Sequence, residues 1–133
     1  MAHIAQHRAA RISTVFGVQL INSMVHHTTH VQPFIGSISV VDIACTLTLM
    51  VSLVYLGYAA SQPPRYLISG ALWALLLWVF DVTASASVMR LVEPASMHAS
   101  GLARAIAATL VLAPIALALG ALGAWRASRL VAL

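Results

Sequence analysis

Three stretches, residues 34–60, 66–89 and 102–125, each run for more than twenty residues almost without charge. A hydrocarbon core about 30 Å thick is crossed by roughly twenty such residues in a helix. A chain of 133 residues cannot hide all three from water inside a core of its own, because small domains bury only part of their surface. The sequence therefore calls for a lipid bilayer. Only 8% of its residues are charged, against 61% hydrophobic, whereas soluble domains carry about 25% charge.

In lipid every backbone polar group must be satisfied within the chain, which leaves helices or a closed barrel. Runs this long and few point to helices. The expected fold is all-α, an antiparallel four-helix bundle integral to the membrane. Residues 1–133 would form a single transmembrane domain with spans at about 12–31, 35–60, 66–89 and 102–125. The first span is the least apolar, so the alternative is three spans with an interfacial N-terminal helix.

Arginine placement favours four spans. All seven basic residues are arginines. With four spans, Arg8, Arg11, Arg65, Arg126 and Arg129 share one side, leaving Arg90 and Arg104 opposite. With three the split is nearly even. Short cytoplasmic loops collect positive charge, so both termini are expected in the cytoplasm. Arg8 and Arg11 precede a stretch too polar for the core of a signal peptide, and the segment is expected to remain in the mature protein. The net charge of +4 suits anionic headgroups. Nucleic acid is not an expected partner, since no basic face with interleaved aromatics exists.

Ala116, Gly120 and Ala124 recur at four-residue spacing, which lets two membrane helices approach closely. Trp73, Trp78 and Phe80 read as packing or lipid-facing residues. Cys45 stands alone, which excludes an internal disulfide or a CxxC motif.

The informative residues are the polar ones inside the apolar runs. A carboxylate near mid-membrane costs at least a few kcal/mol and usually faces the protein interior with a task there. Counting from the expected span ends, Asp42 and Asp81 fall at similar depth on neighbouring antiparallel helices. Ser39 lies on the Asp42 face and Ser85 on the Asp81 face. These four residues are expected to line a polar pocket for a proton or cation, or simply to lock the bundle. The second signal is His26, His27 and His30, with His26 and His30 one turn apart on one face, continued by Gln19, Asn22 and Ser23. Together with His98 from the loop after span three, these imidazoles would suit copper, zinc or iron, or haem, or else form a pH-responsive patch or a solvated helix end.

No nucleophile motif or phosphate loop is present. Three functions remain in order of expectation. The first is a small subunit or accessory protein of a larger membrane, and in particular redox, complex, with a metal or haem at the His cluster. The second is a proton-coupled small transporter using Asp42 and Asp81, working as a homo-oligomer. The third is a membrane enzyme acting on a lipid-soluble substrate.

Overall fold

The computed structural model describes residues 2–28, 34–35, 38–92 and 99–131. In chain order these form α1 (Ala2–Thr28), β1 (Phe34–Ile35), β2 (Ile38–Ser39), α2 (Val40–Ala60), α3 (Tyr66–Val92) and α4 (Ala99–Val131). Three of the four helices are long and apolar enough to cross a membrane: α2, α3 and residues 109–130 of α4. α1 falls short of that measure.

α1 nevertheless packs along the bundle. Arg8 near its start bonds the Ala60 carbonyl at the end of α2, Asn22 bonds the Cys45 carbonyl, and His26 near its end meets Asp42 at the start of α2. These contacts run antiparallel along most of both helices, so α1 lies alongside α2. The chain goes up and down as expected, but the helices are not equivalent. α2 and α3 touch each other, and both touch α1 and α4, whereas α1 and α4 make little or no contact. The α2–α3 pair is therefore central, flanked by α1 and α4.

The second span begins later than the hydropathy suggested. Residues 34–35 and 38–39 pair as a short antiparallel ladder, Phe34 with Ser39 and Ile35 with Ile38. The helix starts at Val40 because Ser39 caps it: its backbone is extended and its Oγ accepts from the Asp42 N–H at 3.3 Å. α4 extends beyond the expected 102–125 at both ends and contains Pro114 without being broken by it.

What holds α4 in place is the absence of side chains. Gly57 faces the Gly120 backbone, Gly123 lies against the Val54 carbonyl, and Gly70 and Gly120 touch the Cβ atoms of Ala124 and Ala74. Ala116 and Ala124 are buried, as their spacing predicted. Such contacts bring backbones within van der Waals range, the main attraction available between helices in lipid. Leu53, Leu56 and Leu77 complete the centre. Phe16 meets Phe80 edge to face at 5.1 Å between centroids, and Trp73 and Trp78 pack against the same centre.

The outside is the apolar part. Leu47, Val51, Leu72, Leu110 and Val111 are all more than half exposed, while Gln19, Ser23, Ser39 and Ser52 are buried. Within the apolar runs, Leu77 and Ala116 point inward, whereas Leu76 and Val111 point outward. Large hydrophobes outside and small or polar residues inside suit a hydrocarbon solvent. Several polar side chains on the periphery are satisfied within their own helix: Thr48 donates to Ala44, Thr83 to Val79 and Ser87 to Thr83.

Arg8 joins the N-terminal part of α1 to the C-terminal end of α2, where orphan carbonyls and the negative end of the helix dipole favour a cation. Arg8→Ala is expected to lower stability by about 1–2 kcal/mol, read as a lower midpoint of thermal unfolding in detergent.

Candidate functional site

α1 supplies the polar wall that the central helices lack. Gln19, Asn22, Ser23 and His26 recur at three- to four-residue spacing and so share one helix face. That face is turned to α2 and α3. Gln19 Nε2 donates to Asp81 Oδ1 at 2.6 Å, and Ser23 Oγ donates to the same oxygen at 2.8 Å. Asn22 Nδ2 donates to the Cys45 carbonyl at 3.1 Å, and the Cys45 thiol faces the Asn22 carbonyl at 3.8 Å. Gln19 is fully buried and Ser23 is 2% exposed, so the Asp81 carboxylate is held by donors with no competing water contact of their own.

These residues surround a cavity of about 240 Å³, lined by Gln19, Ser23, His26, Cys45, Asp81 and Ser85, with Asn22, His27, Thr46 and Leu49 completing the wall. It is partly open. Its size lies below the roughly 300–1,000 Å³ of pockets that enclose drug-sized ligands. It suits a small solute. Gln19 Oε1 is shielded from solvent and has no hydrogen-bond partner among the described residues. A buried acceptor of this kind ordinarily finds a donor.

Asp42 stands elsewhere than expected. The late start of α2 puts it in the first turn, with its side chain 51% exposed, whereas Asp81 lies more than two turns inside α3. Asp42 Oδ1 meets His26 Nδ1 at 3.4 Å. The acids therefore do not share one floor: Asp81 lies on the cavity wall, and Asp42 stands at its mouth through His26. Both are near enough to act electrostatically on His27 and Cys45. Ser85 lines the cavity, while Ser39 serves as the α2 cap.

His26 and His27 stack edge to face at 4.6 Å between centroids. His30 and His98 lie outside the described residues. Among the described residues no three His, Cys, Asp or Glu side chains gather where they could hold a metal ion. The α1 partners of Asp81 were visible in sequence as a continuation of the histidine face, but only the packing assigns them to Asp81.

The His26–Asp42 pair is too exposed to add much stability, since such pairs are typically worth ~1 kcal/mol or less. A double-mutant cycle with His26→Ala and Asp42→Asn is expected to give a coupling energy under about 1 kcal/mol, measured by unfolding in detergent.

No protein family, curated protein or solved structure matches this chain.

Proposed function

We propose that this protein is a small membrane carrier that exchanges a proton for a small cationic solute, with Asp81 as the exchanging group. One observation carries this reading: an acidic side chain inside the bundle, on the wall of a polar cavity, fixed by two buried donors from a different helix. Intramembrane carboxylates in such positions commonly mark ion pathways and proton relays.

In this account all four helices cross the bilayer, and the end bearing Arg8, Arg65, Arg126 and Arg129 faces the cytoplasm. The cavity then opens toward the other face. Ionised Asp81 supplies the negative charge that holds a cation, with Gln19 Oε1 and Ser85 Oγ as further acceptors on the same wall. Protonation of Asp81 removes that charge and releases the solute, so proton and solute compete for one group. His26 and Asp42 at the mouth provide a second titratable pair through which a proton can reach the interior.

In this reading the element that moves is α1. α4 is joined to α2 and α3 backbone to backbone through glycine. α1 is joined less extensively and partly through polar side chains. Rocking α1 against an α2–α4 block would expose the Asp81 site alternately to the two sides, as moving bundles do in larger carriers.

The test uses purified protein in sealed vesicles with an internal pH dye and a panel of small ammonium cations outside. Cation entry coupled to proton exit is expected, and Asp81→Asn should abolish both. Equal coupled transport by wild type and Asp81→Asn would refute the proposal. A subunit of a larger assembly differs in one measurable respect. It would retain a partner chain after extraction in mild detergent, whereas the carrier needs only lipid or copies of itself.

A further inference from the structure

A second recess, separate from the polar cavity, lies between α2 and α4. It is an apolar groove of about 560 Å³ formed by Met50, Val51, Val54, Tyr58, Gly123 and Arg126, with Tyr55 and Leu130 beside them. Gly123 forms part of its floor, where its backbone packs directly against the α2 backbone at Val54 and Tyr58. Gly57 and Gly120 are in contact and so mark one level of the bundle. Met50 lies seven residues before Gly57, and Arg126 six residues after Gly120. At 1.5 Å per residue these offsets make the groove about 20 Å long. One leaflet of hydrocarbon is about 15 Å deep. The groove thus reaches from headgroup level through one leaflet.

Charge at one end of this groove is unbalanced. Arg126 is exposed, and Arg129 stands over the Trp125 ring at 5.4 Å. The carboxylates among the described residues are Asp42 and Asp81, and both are engaged at the His26–Ser23 end of α1, away from Arg126. No described side chain supplies an anion to Arg126.

We propose that this groove binds an anionic phospholipid, with an acyl chain against Met50, Val51 and Val54 and the headgroup phosphate at Arg126. Tyr58, in the last turn of α2, lines the groove between the acyl stretch and Arg126. The inference depends on the chain lying in a bilayer and not on its being a carrier.

Native mass spectrometry of the delipidated protein tests it, with dioleoyl phosphatidylglycerol and dioleoyl phosphatidylcholine titrated separately. The phosphatidylglycerol should bind at one site at least about fivefold more tightly, the scale of one arginine acting at an anionic headgroup. Arg126→Gln should remove that preference, and Arg129→Gln should leave it. Val51→Trp, at a position 67% exposed and so harmless to packing, should fill the groove and reduce retention of the anionic lipid. Equal binding of the two lipids to the wild type would overturn the proposal. Equal effects of Arg126→Gln and Arg129→Gln would overturn it too, by showing attraction to a diffuse basic surface. Conversion of a dimer to a monomer by Val51→Trp with lipid retention unchanged would assign the groove to a second copy of the chain.

Discussion

Gly57→Val should prevent the four helices from assembling. A Cβ at Gly57 would run into the backbone carbonyl of Gly120, and a backbone cannot rotate aside as a side chain can. Overpacking a core commonly costs about 1–3 kcal/mol. A clash between two helix backbones belongs at or beyond the top of that range, because α4 must move away and lose its contacts with both α2 and α3. The expected result is loss of the monodisperse peak in size-exclusion chromatography in mild detergent, or a large drop in the unfolding midpoint. Gly17 provides the contrast. Nothing lies within 4 Å of a Cβ built there, so Gly17→Ala should be neutral or gain about 0.5–1 kcal/mol of helix preference. If both variants behave alike, the glycine contacts are not what fixes α4.

Asp81 carries the second large effect, and two substitutions there separate folding from chemistry. In Asp81→Asn the side-chain oxygen still accepts from Gln19 Nε2 and Ser23 Oγ, so stability should change by less than about 1 kcal/mol. The charge is gone, however, and cation affinity should fall about ten- to a hundredfold, the range expected for losing one hydrogen bond to a charged group. Asp81→Leu leaves two buried donors without an acceptor and should cost about 1–3 kcal/mol of stability. A role confined to locking the bundle predicts the same stabilities, but with Asp81→Asn transporting as the wild type does. The two roles can therefore be told apart by transport, with thermal unfolding reporting the fold, in the same pair of variants.

The helices were legible because charge-free runs of this length have few folded forms. The beginning of α2 was not. Residues 34–39 continue the apolar run, so hydropathy extends the helix through them. The local signal lay in Ser39 followed three residues later by Asp42, which resembles the reciprocal cap of a helix start. Missing it put Asp42 too deep and made the two acids look level. The face of α1 running from Gln19 through Ser23 to His26 was also legible. Its target was not, because that depends on α1 lying alongside both central helices. Arg8 with Ala60 and His26 with Asp42 fix that register, and such pairings only become apparent once the helices are packed. On α4 the small residues were recognisable by spacing. Their partner Gly57 is the single glycine of α2 and carries no such signal, whereas Gly70 and Ala74 repeat the four-residue spacing on α3.

Cys45 offers the most direct test of the central claim, which is a water-accessible, negatively charged cavity inside the bundle. It is the single cysteine in the chain and lies on the cavity wall near Asp81 and Asn22. Small methanethiosulfonates of similar size, one cationic and one neutral, can be applied to the protein in sealed vesicles and their reaction rates with Cys45 compared. The account predicts that the cationic reagent reacts faster, and that Asp81→Asn abolishes the difference while Asn22 and the helix packing remain unchanged. A thiol inert to both reagents, or one that reacts with both equally in the wild type, would contradict it.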